Sequence, residues 1–205
     1  MPPKSKCTRE DIVNAAFDMT RENGIESVAA RELGKRLGTS ATPIFTHFKN
    51  MHEVQVEVRR LAIQEYNKYI ADSLNYTPAF KQYGIRMIEF AKKEPKLFQV
   101  IYMQEHDESQ GFDDIFNELG DSVDSCIKVI QEDYELTKDE AYKLFRQVWM
   151  YTFSICVLEA NNICQFSNDE ISELLSMQFQ GILMLVKSGK YINTLTHKKG
   201  DSELL

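Results

Sequence analysis

RELGKRLGTSATPIFTHFKNMHEV, residues 31–54, decides how the rest of the chain is read. Leu33 and Leu37 recur at the i, i+4 spacing that places two apolar side chains on one face of a helix. Gly34 falls where a second helix would cross, and Gly38 suits the left-handed residue that ends a helix, which glycine adopts without steric cost. Ser40 is then expected to cap a second helix with its hydroxyl. Pro43 falls in the first turn, where its missing N–H costs nothing, and Ile44 and Phe48 recur four apart as the buried face. The pattern predicts two short helices meeting at a tight turn, with Ala41, Thr42, Pro43, Thr46 and His47 pointing outward. A short helix with small polar residues at its start and a basic rim suits entry into a DNA major groove.

At 205 residues, 43% of them hydrophobic, the chain has room for a small helical unit followed by a larger one with its own core. No run of 18 apolar residues is present, and the opening MPPKSKCTRE lacks the apolar segment of a secretion signal, so no membrane span and a cytoplasmic location are expected. Cys7, Cys126, Cys156 and Cys164 are scattered without CxxC spacing, which predicts free thiols and no metal. There is no phosphate-cradling glycine loop, nucleophile elbow or HExxH. The histidines at 47, 52, 106 and 197 are not arranged with a nucleophile, so the reading is not an enzyme and calls for no cofactor.

The net charge of −7 runs against nucleic-acid binding until its distribution is considered. Residues 1–60 hold ten Lys or Arg against eight Asp or Glu, whereas the remainder holds 14 against 23. A mildly basic unit must concentrate its positive charge on one face, because phosphate contact is local and screened within about 10 Å. Lys4, Lys6, Arg9, Arg31, Lys35, Arg36 and Lys49 are the candidates for that face. The acidic remainder would confine nucleic acid to the N-terminal unit.

Taken in order, residues 1–7 are either a basic arm along phosphates or a frayed terminus. A first helix is expected from Thr8, as cap, to Asn23, with Asp11 at the third position, Ile12, Ala16, Phe17 and Met19 partly lining the core, and Gly24 as the stop. A long helix should run from Met51 to about Ser73 on Val54, Val58, Leu61, Ile63 and Tyr66, its front under the second motif helix and its back in the second core. Thr77-Pro78 signals a cap and first-turn proline for a helix to about Lys93, which Pro95 breaks. A short helix over 96–103, a polar loop and one helix over 113–133 follow. Capping boxes at Thr137-x-x-Glu140 and Ser167-x-x-Glu170 open helices to about 163 and 187. The expected architecture is all-α with about nine helices: a three-helix helix-turn-helix domain at 1–50, a helical domain at 51–193 and a flexible tail at 194–205.

Thr8 to Val54 resembles the N-terminal DNA-binding domain of the TetR-type bacterial repressors. The resemblance rests on Ile12-Val13-Asn14-Ala15-Ala16, Asn23-Gly24, Leu33, Leu37-Gly38 and Phe45-Thr46-His47-Phe48-Lys49. It implies a dimer formed through the last two helices and a small-molecule effector, held in the C-terminal half, that shifts the dimer between DNA-binding states. The residues there allow the same view. Val148 to Leu158 is apolar almost all round, and Ile171, Leu174, Leu175, Ile182 and Leu185 form a stripe. Both fit a four-helix interface across a two-fold axis, or ordinary burial within one subunit.

Thr42 and Pro43, with Ala41 beside them, are the candidates for base edges, since small side chains favour contact with the thymine methyl. Arg31 is the long side chain placed to reach a guanine, unless it pairs with a surface carboxylate. Thr46, His47 and Lys49 are candidates for phosphate, with a solvated or core-satisfied imidazole as the lesser alternative for His47. Three positions depart from the family pattern, each losing a phosphate partner: Ala29 for a hydroxyl residue, Phe45 for tyrosine and Met51 for lysine. Hence a second reading stands beside a ligand-responsive repressor on a palindromic operator: a helical interaction protein that kept the fold while its DNA binding weakened or was lost.

Met87, Phe90, Tyr102, Phe116, Trp149 and Phe153 are the candidates for an amphipathic or aromatic effector, with core packing as the alternative for each. Glu159 and Asn162 interrupt an apolar helix, where a carboxylate is expected to pair across the dimer or lie exposed rather than meet a cationic ligand. Glu105, His106, Asp107 and Glu108 crowd one loop without a second His or Cys at ligand spacing, which predicts a solvated acidic loop rather than a metal site.

Overall fold

Apolar residues recurring every three to four positions run through most of the chain, and among the described residues they produce ten α-helices, two short 3-10 turns and no strand. The computed structural model describes residues 7–104, 111–119 and 121–189. The arm with Lys4 and Lys6, the acidic stretch of Glu105, His106, Asp107 and Glu108, and the expected tail at 194–205 lie outside the described residues. The helices are α1 (Arg9–Asn23), α2 (Ala30–Arg36), α3 (Thr42–His47), α4 (Met51–Ile70), α5 (Ala79–Lys93), α6 (Pro95–Tyr102), α7 (Phe112–Leu119), α8 (Asp121–Tyr134), α9 (Lys138–Ala160) and α10 (Asn168–Ser188).

Ten helices rather than nine arise because the single helix expected over 113–133 is two among the described residues, α7 and α8. The sequence has a glycine at 120, and glycine is the poorest helix former after proline, a signal that periodicity alone passes over. A second correction concerns α5: Thr77 does not cap it. Pro78 is the N-cap, with no side-chain hydrogen bond, so the helix starts one residue later than the cap-then-proline pattern predicts. Along α4 the buried positions are Val54, Val58, Ala62, Tyr66 and Ile70, whereas Leu61 and Ile63 are half-buried. A strict spacing of four follows the side of α4 gripped by α1, α5 and α6.

Three helices begin at reciprocal capping boxes. Thr8 Oγ1 accepts from the Asp11 amide at 3.1 Å while the Asp11 carboxylate accepts from the Thr8 amide at 2.9 Å. Thr137 with Glu140 and Ser167 with Glu170 repeat the arrangement. The hydrogen bonds from Thr8, Thr137 and Ser167 hold the Asp11, Glu140 and Glu170 carboxyls below their ordinary values. A carboxylate depressed on folding contributes stability above its unfolded value, and that contribution is lost as pH falls through the folded value. The melting temperature should therefore decline below about pH 4.5, the ordinary glutamate value. A Glu140→Gln, Glu170→Gln double variant should lose part of that slope, and an unchanged slope would show that the boxes carry none of it.

The larger core lies where α5 and α10 pack on α9. Phe90, Phe98, Phe145 and Met87 are fully buried there. At the α9–α10 turn, Glu159 has a side chain only 4% exposed and pairs with Lys92 of α5 at 3.0 Å. It also accepts from the Phe166 amide at 2.8 Å. The expectation of pairing across a dimer or exposure is thus corrected: α5 crosses beneath the turn and supplies the cation from the same chain. Asn162 is exposed, with φ +53.

Candidate nucleic-acid interface and ligand cavity

The turn between α2 and α3 is set by the absence of a side chain. A Cβ on Gly34 would lie 2.9 Å from the Ser40 carbonyl carbon and 3.0 Å from the Ala41 nitrogen, so only glycine lets the turn close onto α2. Gly38, at φ +67, takes the left-handed conformation its position called for. Ile44, fully buried, and Phe48, 3% exposed, pin α3 from beneath. Ser40 does not cap α3. Ala41, itself helical at φ −70 and ψ −16, is the N-cap without a side-chain hydrogen bond, because residue 40 is taken up by the close passage over Gly34.

Thr42, Thr46 and His47 are exposed and Ala41 and Pro43 half-exposed, on the outer side of α3. An open groove of about 1270 Å³ runs between α3, the turn and the start of α1, and Thr42, Pro43, Thr46 and His47 stand on its wall. Ala41, Arg31 and Lys49 are not on that wall, while Thr8, Asn14, Thr39 and Ser40 are. Thr8 and Ser40 carried only cap signals, Asn14 only its place in the first helix and Thr39 none; their convergence comes from folding α1 back against α3. Thr46 donates to the Pro43 carbonyl at 2.6 Å. His47 Nε2 lies 3.1 Å from the Cys7 carbonyl, so that nitrogen carries the hydrogen and Nδ1 faces away from the tether.

Local ion pairs thin out the expected basic face. Arg9 reaches Glu57 at 2.7 Å and lies over the Phe48 ring, and Arg36 donates through both terminal nitrogens to Glu22, each at 2.7 Å. Arg31, Lys35 and Lys49 are exposed and form no ion pair among the described residues. Of the three departures, Met51 packs against the core, Phe45 is 49% exposed on α3, and Ala29 is the N-cap of α2 at φ −97, ψ 147 without a side-chain bond. That geometry suits a hydroxyl cap. Ala29→Ser should stabilise the protein by ~1 kcal/mol, raising the melting temperature by about 2–4 °C in a thermal scan. No rise would mean that the serine hydroxyl fails to reach the α2 amides.

A second site lies between α5, α9 and α10. There a cavity of about 240 Å³ is walled by apolar side chains including Phe80, Met87, Val148, Trp149, Leu175 and Phe179. Gly84, on its wall, keeps α5 close to α10, since a Cβ there would stand 3.3 Å from Leu175 Cδ1. Of the six aromatic and methionine candidates, Met87 and Trp149 line this cavity; Phe90, Tyr102, Phe116 and Phe153 do not. Tyr102, Phe116 and Phe153 instead form a ring cluster around the other side of Trp149, with centroids 6.1, 5.0 and 5.2 Å from the indole. Phe90 meets Tyr66 edge-on at 5.3 Å. Burial raises the Tyr66 hydroxyl well above its ordinary pKa, and that hydroxyl sits 3.3 Å from the hydroxyl of Tyr83, a cavity residue. Its polar members Lys81, Thr152, Ser176 and Gln180 were not singled out by sequence spacing.

No family model matches the chain, and no curated protein matches it. A solved structure from Mesorhizobium loti, provisionally assigned to the TetR-family transcriptional regulators, matches with a TM-score of 0.57 at 16% identity. The match covers 87% of this chain and 98% of that one. The chain therefore shares the all-helical fold of that protein. No helix among the described residues is long and apolar enough to cross a membrane.

Proposed function

We propose that this chain is a cytoplasmic, ligand-responsive transcriptional regulator of the repressor type, which binds a palindromic operator in double-stranded DNA as a homodimer. The observation that carries the reading is α3: a short helix pinned from beneath by Ile44 and Phe48, with Thr42, Pro43 and Thr46 turned outward. Arg31 and Lys49, both exposed, flank it for base and phosphate contact. The homodimer is supported by a stripe on α10, where Met177 is 66%, Met184 74% and Leu185 39% exposed, with nothing within 4 Å of a Cβ on Gly181. Exposed Met150 extends the apolar surface along α9. Single exposed methionines are ordinary, but a stripe around an open glycine is the form of a helix seam.

Selection of bound sequences from a random DNA pool tests this and should recover an inverted repeat. Lys49→Ala should flatten the dependence of log affinity on log salt by roughly 0.9 per phosphate lost. Met177→Glu with Met184→Glu should convert the dimer to monomers in sedimentation and abolish operator binding. The second reading, an interaction protein on the same fold, is favoured by the ion-paired Arg9 and Arg36 and the packed Met51. Under that reading the pool shows no enrichment although the chain still dimerises.

A further inference from the structure

The cavity between α5, α9 and α10 has apolar walls and one cation at its rim. Lys81 is half-buried, and its Nζ donates to Ser172 Oγ at 2.7 Å and to Ser176 Oγ at 2.9 Å. Ser176 in turn donates to the Ser172 carbonyl at 2.7 Å, which turns its oxygen lone pair toward the ammonium. An ammonium carries three N–H donors, so two neutral hydroxyls leave one donor and the whole charge uncompensated. Among the described residues no carboxylate pairs with Lys81, in contrast to Lys92 near the other end of α5, whose ammonium meets Glu159. Half-burying a cation without a counter-charge is unfavourable, and an anion placed there would offset it through a charge-assisted bond. The first turn of α5, which contains Lys81 and lacks a side-chain cap, brings the positive end of its dipole to the same rim.

Resting on the reading of this chain as ligand-responsive, we propose that the cavity takes a small amphipathic carboxylate, its single negative head on Lys81 and its apolar body against Met87, Trp149 and Leu175. The volume of about 240 Å³ corresponds to about eight waters at ~30 Å³ each, enough for a short aliphatic or aromatic tail. One lysine beside two hydroxyls carries a single positive charge, which matches a monoanion; a phosphate dianion would leave one negative charge unmatched at the rim.

Trp149 is the chain's single tryptophan and stands in the wall, so its fluorescence reports occupancy. Decanoate, decanol and decylamine, titrated into the full chain below their micelle concentrations, separate head-group preference from simple burial. Decanoate should change the emission saturably and bind about tenfold or more tighter than decanol. Lys81→Met should bring decanoate down to the level of decanol without altering decanol, and Lys81→Glu should move the preference to decylamine. Equal binding of decanoate and decanol, a preference that survives Lys81→Met, or no response to any of the three overturns the proposal. Repeating the titration with bound operator distinguishes the two readings. Lys81-dependent binding that leaves DNA in place refutes ligand response while the head-group assignment stands.

Discussion

Replacing Gly34 with valine should abolish the proposed operator binding while the C-terminal helices stay folded. A Cβ at this position would meet backbone atoms of Ser40 and Ala41 at 2.9–3.0 Å, and valine adds two further methyl groups. Backbone cannot rotate away as a flexible side chain can, so α2 and the turn must part and α3 loses its angle to the rest of the domain. Overpacking of this kind costs typically 1–3 kcal/mol. On the proposed reading of α3 as the helix that enters the groove, the loss of binding should be larger, on the order of a hundredfold or more, because small misplacements of such a helix remove several contacts together. Gly38→Ala is the comparison. Its Cβ has nothing within 4 Å, and the cost is confined to holding an alanine at φ +67, about 1–2 kcal/mol. A binding titration on the selected operator, alongside thermal unfolding, should rank Gly34→Val far below Gly38→Ala. Equal affinity for the two variants would show that the close crossing at Gly34 does not set the position of α3.

Lys92→Ala is expected to be the most damaging polar substitution, at about 3–5 kcal/mol, the usual cost of breaking a buried ion pair. The asymmetry of the pair gives the direction. Lys92 has 28% of its side chain exposed, whereas Glu159 has 4%. Removing the glutamate leaves an ammonium that can turn to water and still donate to the Phe166 carbonyl, now at 2.6 Å. Removing the lysine strands a carboxylate with one amide partner in a dry corner between α5 and α9. Denaturant unfolding should therefore place Lys92→Ala well below Glu159→Ala, and Lys92→Met, Glu159→Met together above Lys92→Ala alone. If the two single variants fall together, the turn is held by packing and the pair contributes little.

Features written in nearest neighbours were legible from residue order. The three capping boxes, the glycine stops at 24 and 38 and the pinning pair Ile44 and Phe48 each need only residues within one turn of each other, and each stands where it was expected. Ser40 and Thr77 show the limit of that logic. Both have the chemistry of a cap, but Ser40 is consumed by the passage over Gly34 and Thr77 precedes a proline that becomes the cap itself. The ring cluster around Trp149 was visible as composition. The cavity wall was not, because Phe80, Thr152 and Leu175 come from three helices.

Taken alone, the residue order determined that this chain is all-helical, where most of its helices begin, and which face of α3 is turned outward. Those outcomes depend on periodicity and hydrogen bonds between residues three or four apart. Only the tertiary structure decided which charges are free and which are spent. Arg9, Arg36 and Lys92 find carboxylates 48, 14 and 67 positions away, while Lys81 finds two serines 91 and 95 positions away. The physical reason is that a charge is satisfied by whatever lies within about 4 Å, and over such separations that neighbour is chosen by helix packing rather than by the chain's own period.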